Sequence, residues 1–210
     1  MQAIRCILVV IDPKQPDDLA LKRARLISSV SQSRLHLLVC DGKEDHGAHL
    51  DSLCEQLGNQ GHTVSSQQAW HDNLHQTIIQ VQQAEGCGLV IKQHVPDNAL
   101  KRALLTPEDW KLLRYCPCPV LMVKTDGPWT GGNILAAVDV GNADLEHRTL
   151  HASIVNHSFD IAALAGGKLH VISAHPSPML STADPTFQLK ETIEARYREA
   201  CKQFQAEFDI

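Results

Sequence analysis

The sequence is poor in aromatic residues, in long apolar runs and in positive charge. Aromatic side chains make up 4% of its 210 residues, so Leu, Ile, Val and Ala must form the core. A formal net charge of −5 argues against non-specific binding to nucleic acid, which needs a basic surface. The apolar run at residues 6–11 is closed by Asp12 and Pro13, is too short to cross a membrane, and is not followed by a signal-peptide cleavage site. We therefore expect neither nucleic acid nor a membrane among the partners.

The sequence patterns of common catalytic sites are also missing. There is no GxGxxG motif, no GK[ST] phosphate loop and no Ser/His/Asp or paired-carboxylate arrangement, so no catalytic residue is predicted. The seven cysteines are odd in number and lack the spacing of a disulfide framework. This favours reduced thiols in a cytoplasmic protein.

Two segments of the chain occur twice. The apolar run at residues 7–11, which ends in Asp12, recurs at residues 134–138, which end in Asp139. The run at residues 35–40 recurs at residues 169–174. A repeat on this scale predicts two related domains in tandem, residues 1–126 and 133–210, joined by a Gly/Pro-rich linker at residues 127–132. Because few residues follow the second strand of the second copy, we expect only the N-terminal part of that domain.

Strand and helix patterns alternate along the first copy. Continuous apolar runs predict strands buried on both faces, and apolar residues spaced by three and four predict the helices between them. Strands are predicted at residues 6–11, 35–40, 63–70, 89–91 and 120–123, and helices begin near Pro16, Leu50, Leu74 and Pro107. In the second copy, strands are predicted at residues 134–139 and 169–174, with helices over residues 150–165 and 193–208. The alternation predicts an α/β fold with a parallel sheet covered on both faces.

The end of the first copy carries the most specific pattern. It reads Thr106-Pro107-Glu108-Asp109-Trp110-Lys111-Leu112-Leu113-Arg114, followed by Cys116-Pro117-Cys118-Pro119-Val120-Leu121-Met122-Val123. With the strand-plus-Asp starts and His175-Pro176-Ser177-Pro178, this resembles a universal stress protein with two tandem domains, close to the E-type of bacteria. The resemblance implies Rossmann-like, HUP-type sheets in the order 3-2-1-4-5. It also implies a nucleotide pocket where strands one and four end.

In nucleotide-binding members of that family, a loop of pattern G-x2-G-x9-G-[S/T] follows strand four and wraps the phosphates. In this sequence, Gln93, Pro96 and Thr106 stand at the glycine positions and Pro107 at the Ser/Thr position. We therefore expect that the first domain has lost the phosphate loop and does not bind ATP. In the second copy the corresponding loop would lie beyond Ile210, so its glycines are not part of this sequence.

The resemblance also suggests ligand-binding residues. In the second domain these are Asp139, Val140, Ala174 and His175, with ATP or another nucleotide as the ligand. Asp12 and Cys40 are weaker candidates in the first domain. The alternative is that each Asp caps the turn that follows it, and that residues 175–178 form a plain rigid loop.

Pairs of histidines and cysteines are candidates for metal or redox motifs. His71 and His75, like His147 and His151, are four residues apart, but neither pair has a clear third ligand, so no metal site is predicted. Cys116 and Cys118 are not spaced as C-x-x-C, which favours packing beside the prolines.

The expected function is that of a cytoplasmic stress-response module that binds a small ligand or nucleotide, with intramolecular domain pairing or a homodimer. An enzyme such as an ATPase or nucleotidyl transferase is the main alternative, with weak ATPase as the activity to test. A purely structural interaction protein is a second alternative.

Overall fold

The structure is a computed structural model that describes residues 4–15, 18–95, 107–142, 144–174 and 190–208. The chain divides into two units, residues 2–126 and residues 127–210. The first unit contains a five-stranded sheet and the second contains a two-stranded sheet.

Strands and helices alternate in the first unit as the sequence predicts. The elements are β1 (Cys6–Ile11), α1 (Leu19–Ser31), β2 (Arg34–Cys40), α2 (Gly47–Asn59), β3 (Val64–Ala69), α3 (Leu74–Glu85), β4 (Leu89–Gln93), α4 (Pro107–Tyr115) and β5 (Val120–Val123). The strands pair in parallel in the order β3-β2-β1-β4-β5, which confirms the expected order.

The central strand β1 is buried along its whole length because helices cover both faces of the sheet. Alternate residues of β1 enter two different apolar clusters, since successive side chains of a strand point to opposite faces. Ile7 and Val9 pack with α1 and α2, whereas Leu8 and Val10 pack with α3 and α4.

In the first unit, some helix ends can be predicted from the sequence and one cannot. Asp18 caps α1 by accepting a hydrogen bond from the Leu21 N–H, and Asn73 caps α3 in the same way. Helix α3 ends at Gly86 in the left-handed conformation, as its glycine predicts. Helix α1 ends in the same conformation at Gln32, which carries a side chain.

The second unit contains β6 (Asn133–Ala137), α5 (Leu145–Ala165), β7 (Lys168–Ile172) and α6 (Lys190–Phe208). Strands β6 and β7 pair in parallel. The predicted strand ends at Asp139 and Ala174 are wrong, because β6 stops at Ala137 and β7 at Ile172. In the first case the chain enters a turn at Asp139. A small apolar cluster forms around Val138, Val155 and Phe204.

One pair of cysteines departs from the expectation of reduced thiols. Cys6 and Cys87 form a disulfide in the core of the first unit. The pairing of Ile7 with Leu89 brings the start of β1 beside the residues that precede β4, which places the two sulfur atoms side by side. The expectation of reduced thiols is therefore wrong for this pair.

Among the residues that the structure describes, no helix combines the length and the apolar character needed to span a bilayer.

Candidate functional site

In a sheet of order 3-2-1-4-5, the carboxyl ends of β1 and β4 diverge into helices on opposite faces. This switch point is where such sheets bind ligands. In the first unit, Asp12 follows β1, Cys40 ends β2, and Gln93 and His94 stand at the end of β4. The contacts of these residues define the candidate site.

Asp12 organises its own loop. Its Oδ1 accepts a hydrogen bond from the Lys14 N–H at 3.0 Å, and its N–H lies 3.4 Å from Oδ2 of Asp18. Burial raises the pKa of the Asp18 carboxyl, with hydrogen bonds from the backbone opposing this shift. The Asp12 side chain therefore forms the turn-capping contact that was the alternative to ligand binding.

Cys40 lies at the edge of the α3–α4 apolar cluster. Burial raises the pKa of its thiol to about 12, and the nearby Lys92 opposes that rise only in part. The thiol is therefore neutral near pH 7, and its contacts are those of a small apolar side chain.

The side chains of Lys92, His94 and Asp109 meet where β4 ends and α4 begins. Lys92 Nζ lies 2.9 Å from Asp109 Oδ1, and His94 Nδ1 lies 2.8 Å from Asp109 Oδ2. The Asp109 side chain is 1% exposed and that of His94 is 2% exposed. Asp109 is in the first turn of α4, where free backbone N–H groups and the helix dipole favour an anion. The protein's own carboxylate therefore occupies the anion-favouring end of this helix.

Neighbouring side chains make further hydrogen bonds at the start of α4 and at the end of β4. Glu108, also in the first turn of α4, accepts a hydrogen bond from His75, and this bond is the main cause that lowers the pKa of Glu108 to about 2. Gln93 Oε1 accepts a hydrogen bond from the Leu19 N–H at the start of α1. Of the four phosphate-loop positions, Gln93 therefore caps a helix and Pro107 begins α4. Pro96 and Thr106 lie outside the described residues.

The second unit has a different arrangement after its first strand. The Asp139 N–H donates to His151 Nε2 at 3.2 Å, and Asp139 Oδ1 accepts from the Gly141 N–H at 3.1 Å. The Val140 N–H donates to Ser173 Oγ at 3.2 Å. Asp139 thus makes the same turn contact as Asp12, and a buried histidine fixes its backbone in addition.

A cavity of about 280 Å³ opens beside Val140 within the second unit. Its walls come from the loop after β6 and from α5 and α6, and they are lined by Val140, Asn142, Arg148, His151, Ala200, Gln203, Phe204, Glu207 and Phe208. Arg148 pairs with Glu207 at 2.8 Å across its rim. Its lining is mixed, with polar side chains beside the rings of Phe204 and Phe208, and the His151 ring meets that of Phe204 edge-on.

The predicted residues of the second unit are only partly brought together. Asp139 and Val140 lie at this loop, and Ala174 lies two residues beyond the end of β7, exposed. His175 lies outside the described residues. Sequence reasoning missed His151 and Ser173 as partners of the loop, although His151 was noted for its spacing from His147.

In the described part of the chain, one histidine of each pair contacts a carboxylate. His75 contacts Glu108, and His147 contacts Asp144, the N-cap residue of α5. The described residues contain one group with ligand atoms close enough for a cation, formed by Asp41, Glu44 and His46. Within it, a hydrogen bond from His46 is the main cause that lowers the pKa of Asp41 to about 2, so the carboxylate already has a partner.

Comparison with known proteins places this geometry in a family. Residues 41–124 match the model of the universal stress protein family. Universal stress protein E of Escherichia coli (strain K12) is 30% identical over 219 residues, which cover 93% of this chain and 68% of that protein.

Two solved structures from Pseudomonas aeruginosa are more similar. A protein of strain UCBPP-PA14 that is assigned to the universal stress proteins is 64% identical, with a TM-score of 0.86 and 72% of its length covered. A functionally unknown protein of strain PAO1 is 66% identical, with a TM-score of 0.85 and 71% of its length covered. Both alignments include all of this chain.

Proposed function

This chain belongs to the universal stress protein family, and from that premise we propose that it is a cytoplasmic stress-response module whose two units have diverged. The second unit binds a small ligand or nucleotide at the end of β6, with Asp139, Val140, Ala174 and His175 at its site. The first unit has lost the phosphate loop, does not bind ATP and serves as a structural or docking half.

One observation carries the proposal for the first unit: Asp109 is buried between Lys92 and His94 at the start of α4. A nucleotide phosphate placed there would meet this carboxylate and that of Glu108, and Pro107 has no N–H to donate. Repulsion between unit charges about 4 Å apart is on the order of 4 kcal/mol near a protein surface. Micromolar binding is worth about 8 kcal/mol, so this repulsion would move ATP to the millimolar side.

The second unit offers a contrasting environment. Its cavity adjoins Val140 and has the guanidinium of Arg148 at its rim. Two backbone N–H groups of the loop, those of Asp139 and Val140, are held by His151 and Ser173. A fixed loop beside a pocket that offers both apolar rings and polar groups can hold a small molecule. The guanidinium of Arg148 lies at this pocket and is paired with Glu207, so an anionic ligand would have to compete with that carboxylate.

Calorimetry on the whole chain tests the proposal with ATP and Mg²⁺ as the first probe and with ADP and AMP as further ones. Asp139→Ala and Asp12→Ala are matched variants, since both aspartates cap the turn after the first strand of their unit. We expect Asp139→Ala to weaken binding at least about tenfold, worth 1.4 kcal/mol, and Asp12→Ala to leave it unchanged. The proposal is wrong if Asp12→Ala abolishes binding while Asp139→Ala does not.

The same samples distinguish the alternatives. Steady release of inorganic phosphate from ATP, lost in Asp139→Ala, would favour the ATPase. Failure of all three nucleotides, together with purified protein that carries no small molecule, would favour a purely structural interaction protein. Cell fractionation tests the cytoplasmic location.

A further inference from the structure

Two cysteines lie between α4 and β5, on either side of Pro117. Helix α4 ends at Tyr115, and the Cys116 N–H still donates to the Leu112 carbonyl at 3.0 Å. The Sγ atoms of Cys116 and Cys118 are 3.8 Å apart, within contact distance. Both side chains are partly exposed at the border of the α3–α4 apolar cluster.

All seven cysteines lie in the described part of the chain, and this pair differs from the other five. Cys6 and Cys87 are already joined and fully buried. Cys40 is held neutral by burial, which raises the pKa of its thiol to about 12. Cys54 and Cys201 are single free thiols on α2 and α6. Cys116 and Cys118 combine access to solvent with a second free thiol in contact.

The contact gives the two sulfur atoms different acidities. A hydrogen bond from Cys118 is the main cause that lowers the pKa of the Cys116 thiol to about 7, while burial opposes the shift. The same bond and burial raise the pKa of Cys118. Cys116 is therefore the more acidic of the two sulfurs and Cys118 the less acidic. A reactive, accessible thiolate beside a second thiol is the arrangement found in cysteines that respond to oxidants.

We propose that Cys116 and Cys118 form a reversible thiol–disulfide site whose substrate is a hydroperoxide. The Cys116 thiolate attacks one oxygen of hydrogen peroxide, the O–O bond breaks, and hydroxide leaves and takes up a proton to become water. This gives Cys116 sulfenic acid. The Cys118 sulfur then attacks the Cys116 sulfur, the S–O bond breaks, and a second water leaves. Two thiols are oxidised to one disulfide while one peroxide is reduced to two waters.

Little movement is required for the second step. A disulfide needs sulfur atoms about 2.05 Å apart, and the two thiols start 3.8 Å apart on residues separated only by Pro117. Rotation of the side chains can supply this change. A lower pKa raises the thiolate fraction near pH 7 more than it lowers the intrinsic nucleophilicity, so we expect Cys116 to react with peroxide severalfold faster than a small thiol of ordinary pKa.

The experiment uses the whole chain and the peptide that trypsin releases. Cleavage after Arg114 and Lys124 gives residues 115–124, which contain Cys116 and Cys118 and no other cysteine. Reduced protein is treated with one equivalent of hydrogen peroxide, free thiols are alkylated, and the digest is analysed by mass spectrometry. We expect this peptide to escape alkylation, to be lighter by two hydrogen atoms, and to return to the dithiol form on reduction.

Variants separate the roles of the two sulfurs. In Cys118→Ser we expect the sulfenic acid at Cys116 to persist and to be trapped by dimedone. In Cys116→Ser we expect Cys118 to stay unoxidised at the same dose. Cys54→Ser is the control and should leave the peptide result unchanged. Circular dichroism checks that each variant folds, and the peptide test on the unsubstituted chain is independent of the variants.

The proposal is overturned if peptide 115–124 remains doubly alkylated while Cys54 or Cys201 is oxidised. It is also overturned if Cys118→Ser leaves the oxidation product of Cys116 unchanged, because Cys118 would then have no part in resolving it.

Discussion

Leu8 and Leu135 hold corresponding positions in the first strands of the two units, yet their side chains are 0% and 60% exposed. Strand β1 lies between β2 and β4 under helices on both faces, whereas in the described residues β6 pairs with β7 alone. The same local pattern is therefore buried in one unit and open in the other. Burial depends on the neighbours that a strand acquires as well as on the apolar residues that it contains.

The loops after these strands make a second comparison. Asp12 and Asp139 both accept a hydrogen bond from the N–H two residues later. In the first unit the nearby helix α4 brings Asp109 onto Lys92 and His94. In the second unit a cavity lies beside Val140. Corresponding aspartates thus make the same turn in different surroundings, and the surroundings decide what can bind.

Breaking the Lys92–Asp109 pair should have the largest effect on stability. Lys92→Met leaves the buried Asp109 carboxylate without the ammonium group of Lys92. Removal of one partner of a buried ion pair costs about 3–5 kcal/mol. Urea denaturation followed by circular dichroism measures the loss. The double variant Lys92→Met/Asp109→Asn removes the unpaired charge, keeps an acceptor for His94, and is the control that should regain most of it. Equal instability of the single and double variants would show that packing, and not the unpaired charge, is responsible.

The two corresponding leucines give the next largest difference. Leu8→Ala removes a fully buried side chain and should lower the free energy of unfolding by about 2–5 kcal/mol. Leu135→Ala removes an exposed one and should change it by no more than about 0.5 kcal/mol. Both variants are measured in urea under the same conditions. A similar loss in both would mean that the exposed face of β6 is covered in solution.

Acid should weaken the first unit through His36. Burial of this ring lowers its pKa, against the opposing effect of Glu85, and its Nδ1 lies 2.8 Å from Ser65 Oγ. Because the folded pKa is below the unfolded value of 6.5, the stabilisation is fully present above pH 6.5 and is lost as pH falls through the folded pKa.

The slope below pH 6.5 is positive and is at most about 1.4 kcal/mol per pH unit for one proton. His36→Gln should flatten the dependence of urea stability on pH below 6.5. Retention of the full slope in that variant would assign the acid sensitivity to another group.

The last effect is expected on association more than on stability, at β5, an edge strand of the five-stranded sheet. Its apolar sequence contrasts with the polar sequence of β3 at the other edge. We predict that β5 pairs between domains or between copies, since an apolar edge needs cover. Leu121→Lys should change hydrodynamic size or promote aggregation while altering unfolding by about 1 kcal/mol, and Ser66→Lys on β3 is the control. Identical sedimentation of both variants and the parent chain would contradict this.

The sequence predicts most of the fold because the decisive signals are local. Continuous apolar runs identify β1, β2 and β5, and Gly86 marks the end of α3. The end of α1 at Gln32 is not visible, since a left-handed residue with a side chain has no clear signature.

The candidate sites depend on contacts between distant residues and were harder to predict. Lys92 and His94 are two residues apart at the end of β4, but their contact with Asp109 depends on where α4 lies in the fold. The Cys6–Cys87 disulfide depends on the register of β1 against β4 in the same way. Asp139 was predicted to face a ligand, and the structure gives it a turn contact that is compatible with either role.

Hydrogen exchange of the whole chain with and without ATP and Mg²⁺ tests the divergence of the two units most directly, because it reports both units in one sample. We predict protection in peptides that cover residues 138–151, around Asp139 and the start of α5. Peptides that cover residues 88–94 and 107–115 should exchange at unchanged rates. Protection at the start of α4, around Asp109, with none near Asp139, would contradict the account.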